Sequence, residues 1–191
     1  MTTPEDVLSF WLDEVSPSDW YKADPELDAK IRSWYEPTWN AAMEGRHGLW
    51  LTYPSGTLAY IILLDQFPRN MFRDTGKAFS SDLYALAASK MAIEKGWDMR
   101  IDEPARQFFY LPLMHSENLS DQDRAVRLFM DRMPEKGASN LLHARAHREV
   151  IRRYGRFPTR NEALGRRHSG PERDYLELGG YGTILRSLEA A

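Results

Sequence analysis

The chain contains no cysteine among its 191 residues, so it can form no disulfide bond, thiolate metal site or cysteine nucleophile. Long hydrophobic runs are also absent. The best apolar stretch, LAYIILL at residues 58–64, is far shorter than the ~18 residues of a membrane span. The acidic start, MTTPEDVLSFWLDEV, lacks the basic region of a signal peptide. We therefore expect a cytoplasmic protein without a membrane partner.

Opposite charges gather at the two ends of the chain. Residues 1–44 hold ten acidic and three basic side chains, whereas residues 143–167 hold eight arginines and two glutamates. Such a basic segment in a protein of net charge −3 indicates either an anionic ligand or internal pairing. The overall acidity argues against a nucleic-acid partner, because phosphate contacts need a dominant basic face.

Helical patterns dominate the chain. The segment GTLAYIILLDQF is apolar on all sides, which fits a buried strand or a central helix, and we choose the helix because no second strand-like run exists to pair with it. There is no glycine-rich phosphate loop and no alternation of strands with helices. We therefore predict an all-α fold of antiparallel helix pairs, a single domain over residues 1–191, and no cofactor.

Several helix boundaries can be predicted from capping and breaking residues. Pro37 should kink or end the helix that starts at Asp24. Ser120 and Asp123 resemble a capping box, with aspartate in place of the usual glutamate. Residues 138–154 should form a helix that ends at Gly155.

A Phe-Pro-Arg-Asn sequence occurs twice, as FPRN at residues 67–70 and as FPTRN at residues 157–161. Proline can open a helical turn, after which arginine and asparagine can satisfy carbonyl groups at a helix end. In the alternative interpretation, Arg69 and Arg160 converge on one carboxylate or phosphate. Asp65 follows an apolar run and precedes Arg69 by four residues, so we expect a semi-buried ion pair between them.

Three histidines could carry chemistry. His115 and Glu117 follow an apolar stretch and could act as a general acid and base. Alternatively, His115 could be a core residue bonded to a backbone carbonyl, or Glu117 could help to cap a turn. His143 and His147 lie four residues apart on one helix face, but Ala144 replaces the glutamate of the zinc-hydrolase pattern. We predict no metal site, and we expect one of these histidines to face the core.

Three long segments, LAYIILLDQFPRN, YLPLMHSEN and HREVIRRYGRFPTRNEALGR, resemble a bacterial family catalogued as domain of unknown function number 924. The resemblance extends from the first helix to about Leu176. It implies an all-helical fold similar to tetratricopeptide-repeat superhelices, and it implies no activity. Thr159 departs from the family pattern, in which we expect histidine in many members, so an essential role for that position is in doubt. The motif positions in this chain are Asp65, Gln66, Arg69, Asn70, His115, Glu117, His147, Arg148, Arg156, Arg160, Asn161 and Arg166.

Our leading hypothesis is a pocket that binds a small anionic ligand, with His115 and Glu117 as the catalytic pair if the protein is an enzyme. One alternative is an interaction module that holds a peptide in a concave groove. A third is a hydrolase in which His115 and Glu117 activate water. The predicted ligand-binding residues are Asp65, Arg69, Asn70, His147, Arg148, Arg156, Arg160, Asn161 and Arg166.

Overall fold

Helices account for all of the regular structure in residues 2–190, which are the residues that the computed structural model describes. The prediction of an all-α fold is confirmed, whereas the tetratricopeptide-like arrangement stays a prediction. By its contacts the chain divides into two compact units, the first running to Pro112 and the second beginning at Leu113. A single domain over residues 1–191 likewise stays a prediction.

Helices of the first unit begin where the sequence supplies caps. The side chain of Asp24 accepts hydrogen bonds from the N–H groups of Glu26 and Leu27, and Pro25 follows it at the first helical position. Helix α1 packs against α3, α2 against α4, and α3 against α5. The helices are α1 (Pro4–Leu8), α2 (Pro25–Met43), α3 (Pro54–Ile61), α4 (Phe67–Met71) and α5 (Asp82–Glu94).

The apolar segment that we predicted to be a helix is one, but its winding changes midway. Helix α3 continues through a π-helical turn at Ile62–Gln66 directly into α4. At the end of that turn the N–H of Phe67 bonds to the carbonyl of Ile62, five residues earlier. A second π-helical segment, Ser9–Glu14, continues α1. Asp65 lies in the first of these turns, Ile62–Gln66, and is fully buried in the first unit.

Pro37 does not end its helix, so that part of the prediction was wrong. Helix α2 continues through Pro37 to Met43. Both Pro37 and Ser33, whose carbonyl the missing N–H would have served, are exposed, and water can satisfy that carbonyl. On the opposite face Ile31 and Trp39 are buried, which keeps the helix packed on both sides of the proline.

The second unit is built on two antiparallel helices, α7 and α8, joined by the short connection 133–137. Arg148 in the second half of α8 reaches Asp123 near the start of α7, as expected for antiparallel neighbours. Its core contains Ala146, Val150, Ile151, Phe157, Tyr175 and Ile184. The remaining helices in chain order are α6 (Leu111–Met114), which spans the boundary between the units, α7 (Leu119–Arg132), α8 (Ala138–Tyr154), α9 (Gly170–Glu177) and α10 (Gly180–Glu189).

Helix α7 begins earlier than the capping-box pattern predicted. Asn118 is the N-cap, and its side-chain oxygen accepts hydrogen bonds from the N–H groups of Ser120 and Asp121. Asparagine is as good an N-cap as serine, so the earlier residue starts the helix. The predicted end of α8 was correct, since the helix ends directly before Gly155.

Among residues 2–190 we find no helix that combines the length and the apolar character needed to cross a bilayer.

Candidate functional site

The segment that follows α8 carries most of the predicted site residues of the second unit. Gly155 ends α8 with φ +69°, a left-handed conformation that glycine adopts without the penalty of a Cβ atom, and its N–H bonds to the carbonyl of Ile151. The chain then turns back through Phe157 into one turn of 3₁₀ helix at Pro158–Arg160. The second Phe-Pro motif therefore forms a turn beside the end of α8.

Glu117 holds this turn in place. One of its carboxylate oxygens accepts a hydrogen bond from Arg166 at 2.7 Å, and the other accepts from Arg166 at 2.9 Å and from the Phe157 N–H at 2.8 Å. Burial alone would raise the pKa of Glu117, but these hydrogen bonds outweigh it, and the pKa lies below its ordinary value. Glu117 is therefore an ionised anchor whose two oxygens both have partners.

A second ion pair closes the same segment from the other side. The guanidinium of Arg156 donates to both carboxylate oxygens of Glu172, at 2.6 and 2.8 Å, and also to the carbonyl of Arg167. Glu172 caps α9 as well, by accepting from the Ser169 N–H. Hydrogen bonds from Arg156 dominate the strong lowering of the pKa of Glu172. The two ion pairs fix the loop that separates α8 from α9.

A cavity of about 150 Å³ lies between this turn, α8 and α10, and we call it the His147 pocket. Val150 and Phe157 give it apolar walls. Its polar lining consists of an imidazole, a guanidinium and three hydroxyl groups, and no carboxylate is present among the lining residues that the structure describes. The polar residues are His147, Thr159, Arg160, Tyr175 and Tyr181.

His147 is neutral in this setting. Burial lowers the pKa of His147 to about 3, helped by the nearby His115 and by the positive charge of Arg160. Its Nδ1 lies 2.8 Å from the carbonyl of His143, which can only accept, so the single ring proton sits on Nδ1. The other nitrogen, Nε2, therefore carries a lone pair and can accept a hydrogen bond.

Arg160 brings positive charge to the pocket. Its guanidinium carbon lies 4.4 Å from the centre of the Phe157 ring, a cation–π contact that holds the side chain against the pocket wall. The same charge lowers the pKa of both His147 and Glu117, which shows that it acts on both sides of the turn. The adjacent Thr159 adds an exposed hydroxyl to the rim.

Two tyrosines complete the pocket, and neither was predicted from the sequence. The hydroxyl of Tyr181 lies 2.6 Å from Nδ1 of His143 and 3.2 Å from Nδ1 of His147. It donates to His143, because the Nδ1 of His147 already carries a proton. Burial raises the pKa of Tyr175 to about 12 and also raises the pKa of Tyr181. Tyr181 follows Gly179 and Gly180, both with positive φ, at the start of α10, and its local sequence gave no signal for its contact with His143.

The other predicted residues of the second unit lie around the pocket. Arg148, which we predicted to bind the ligand, pairs at 3.5 Å with Asp123, a carboxylate of another helix. The side-chain nitrogen of Asn161 lies 3.1 Å from Nδ1 of His168. The ring of His115 has its centre 6.4 Å from that of His147, whereas Glu117 faces Arg166. The catalytic pairing of His115 with Glu117 stays a prediction.

The first unit contains the other Phe-Pro-Arg-Asn copy. The ion pair expected between Asp65 and Arg69 is present at 3.3 Å, and Arg69 also donates to both carboxylate oxygens of Asp82 at 3.0 and 3.1 Å. Asn70 donates to Asp28 at 2.8 Å. In this copy, carboxylates within the unit surround the arginine and the asparagine, so the motif has a clear structural role.

Metal binding finds no support in the arrangement of the histidines. Within residues 2–190, no group of three or more histidine, aspartate or glutamate side chains is placed to hold a metal ion. His143 and His147 share a helix face, but the hydroxyl of Tyr181 lies between their Nδ1 atoms.

Comparisons with known proteins identify relatives without an assigned activity. The model of a family described as bacterial protein of unknown function (DUF924) matches residues 7–180. A solved structure of a protein of unknown function from Agrobacterium tumefaciens is similar, with 36% sequence identity, a TM-score of 0.85, and coverage of 91% of this chain and 96% of that one. No curated protein matches the chain.

Proposed function

Since this chain belongs to the DUF924 family of bacterial proteins, whose description gives no activity, we propose from the site itself that it binds a small anion in the His147 pocket. One observation carries the proposal. The pocket combines a guanidinium with hydroxyl donors, while no acidic side chain appears among its described lining residues. Such a surface favours a negatively charged guest, and the apolar walls strengthen the attraction by excluding water.

The size of the pocket restricts the ligand. A volume of about 150 Å³ is well below the roughly 300–1,000 Å³ of pockets that hold drug-sized molecules. The ligand is therefore an anion of few atoms, such as inorganic phosphate or a short carboxylic acid. Arg160 is suited to either, because its planar fork of N–H donors matches two oxygens of a carboxylate or a phosphate.

The protonation state of His147 further restricts which anions the pocket can bind. With a pKa of about 3, its imidazole is neutral near pH 7, and Nε2 accepts a hydrogen bond rather than donating one. An anion that keeps a hydroxyl group, such as monohydrogen phosphate or a 2-hydroxy acid, can donate to Nε2 while its charged oxygens meet Arg160. A plain carboxylate lacks that donor. We therefore expect acetate to bind more weakly than lactate.

Thermal unfolding in the presence of inorganic phosphate, lactate and acetate tests the proposal. A ligand held at one hundred times its dissociation constant adds ~2.7 kcal/mol to the free energy of unfolding. We expect phosphate or lactate to raise the unfolding temperature of the native chain and to leave that of Arg160→Gln unchanged.

The matched control is Arg145→Gln on the exposed face of α8. This variant changes the net charge by the same amount but leaves the pocket intact, so it should respond to the ligand as the native chain does. Equal responses in Arg160→Gln and Arg145→Gln would assign the effect to general ion binding and reject the pocket. We also propose a cytoplasmic location, which fits a chain without cysteine.

A further inference from the structure

The first unit contains a second cavity with the opposite electrostatic character. It has a volume of about 340 Å³, and we call it the Trp34 pocket. Its walls include the aromatic rings of Phe10, Trp34 and Tyr35 together with the carboxylates of Asp6 and Glu14. Aromatic faces and carboxylates both attract positive charge.

The three rings pack against one another beside the cavity. The ring centres of Phe10 and Trp34 lie 5.6 Å apart, those of Phe10 and Tyr35 5.3 Å, and those of Trp34 and Tyr35 6.5 Å. Phe10 and Tyr35 are buried and therefore fixed in position, whereas Trp34 is 51% exposed and open to solvent. The pocket thus has a rigid base and an accessible aromatic wall.

The side chain of Lys30 already contacts two of these rings. The ammonium group of Lys30 lies 4.4 Å from the centre of the Trp34 ring and 5.0 Å from that of Phe10. It also lies 3.5 Å from a carboxylate oxygen of Glu14. Both partners of that ion pair are substantially exposed, so the pair contributes little to stability and can be displaced at small cost.

Asp6 keeps its negative charge at neutral pH. Hydrogen bonds from the backbone and side chain of Thr3 lower the pKa of Asp6. Burial raises the pKa of Tyr35, and the negative charges of Asp6 and Glu14 raise it further, which shows that both carboxylates act on the ring. The Tyr35 hydroxyl itself donates to the backbone carbonyl of Asp6.

We propose that the Trp34 pocket binds a small quaternary ammonium compound, with its methylated nitrogen against Phe10, Trp34 and Tyr35 and its charge balanced by Asp6 and Glu14. A quaternary ammonium group carries no N–H donor, so it gains from aromatic faces and loses little on leaving water. In this arrangement Lys30 competes with the ligand for the faces of Phe10 and Trp34. The site is independent of the His147 pocket and of its anion.

Choline is the probe, and 3,3-dimethylbutan-1-ol is its neutral counterpart of the same shape. Binding is followed by ¹H–¹⁵N NMR, using the indole N–H signal of Trp34, which is assigned by its loss in Trp34→Ala. In that variant, which lacks the indole, binding is followed by the backbone amide signals of Phe10 and Tyr35. We expect choline to shift this signal saturably and to bind at least roughly fivefold more tightly than the neutral alcohol, as a cation–π contribution of this class requires. Equal affinity for the two probes would reduce the site to an apolar cleft.

Variants separate a ligand site from an ordinary surface contact. Trp34→Ala should weaken choline binding at least roughly fivefold, whereas Lys30→Gln should strengthen it by roughly threefold because the competing ammonium is gone. Trp97→Ala is the matched control, since Lys95 lies 4.3 Å over that ring in the same type of contact elsewhere in the first unit. Choline shifts that survive Trp34→Ala, or weaker binding in Lys30→Gln, would overturn the proposal.

Discussion

Glu117 and Arg166 lie 49 residues apart in the chain and are joined by two hydrogen bonds of 2.7 and 2.9 Å. Because Glu117 also accepts the N–H of Phe157, it ties the start of α7 to the turn that carries Arg160. The ion pair sets the position of one wall of the His147 pocket. It also occupies the carboxylate that the sequence suggested as a general base, and a lowered pKa makes Glu117 a weak base.

We expect Glu117→Gln and Arg166→Gln each to destabilise the protein by about 1.5–3 kcal/mol, the usual contribution of hydrogen bonds to charged groups. The double variant should lose less than the sum of the two, because both changes remove the same pair. Urea unfolding of the four proteins measures this coupling. Strictly additive losses would mean that the two side chains do not depend on each other.

The depressed pKa of His147 predicts a pH dependence of stability. Its pKa of about 3 in the folded protein lies below the ordinary 6.5 of the unfolded chain, so the unfolded state binds the extra proton between these values. The stabilisation is complete above pH 6.5 and is lost as the pH falls towards 3. Between pH 6 and pH 4.5, the free energy of unfolding should fall by up to ~1.4 kcal/mol per pH unit.

Urea unfolding at several pH values, in the native chain and in His147→Phe, checks this dependence. His143 also has a pKa lowered by burial, so it contributes in the same direction, and the variant should keep a shallower slope. The range above pH 4.5 avoids the protonation of most carboxylates. An unchanged slope in His147→Phe would assign the effect to other groups.

Arg69 should matter for stability and not for anion binding. Asp65 is fully buried, and Arg69 is its cationic partner at 3.3 Å. Removing one partner of a buried pair costs about 3–5 kcal/mol, and we expect that loss in Arg69→Met. Arg73→Met is the control, since Arg73 pairs with Asp28 near the surface and should cost at most about 1 kcal/mol.

Thermal unfolding with and without phosphate distinguishes an arginine that stabilises the fold from one that binds the anion. Arg69→Met should lower the unfolding temperature while keeping the ligand-induced increase. If a folded Arg69→Met protein showed no phosphate-induced increase in unfolding temperature, Arg69 would be a ligand contact.

Gly155 gives a backbone test of the turn. Its φ of +69° costs any other residue about 1–2 kcal/mol, and a Cβ atom there would meet nothing within 4 Å, so the penalty is conformational alone. We expect Gly155→Ala to lower the free energy of unfolding by about that amount. Gly170→Ala, at a position with equal space and no positive φ, should be neutral or slightly stabilising. Equal effects in the two variants would contradict this explanation.

Local signals in the sequence predicted much of the fold. The Asp24–Pro25 start of α2, the Gly155 end of α8 and the Asp65–Arg69 pair all depend on residues close together in the chain. The helix end predicted at Pro37 was wrong because tertiary packing of the opposite helix face outweighs one missing hydrogen bond. The start of α7 was misplaced because Asn118 and Ser120 have similar capping strength.

The candidate site was harder to predict, because its geometry depends on contacts between distant residues. The two Phe-Pro-Arg-Asn copies read alike, yet Asp82 meets Arg69 in one copy, whereas Arg160 in the other lies over Phe157 at the edge of a cavity. Tyr181 enters the site from α10, and nothing in its local sequence points to His143. The sequence therefore predicted the residue types of the site but not which arginine lines a pocket.

The π-helical turn at Ile62–Gln66 determines how this helix tolerates the loss of one residue. A turn closed by a bond from Phe67 to Ile62 contains one residue more than an α-helix would place there. Deleting one residue at this turn would restore regular α-helical winding and leave the following helix in place, because the wide turn absorbs the extra residue. Asn70 would then keep its hydrogen bond to Asp28. A relative of this chain that is one residue shorter at this turn can therefore keep the same contacts.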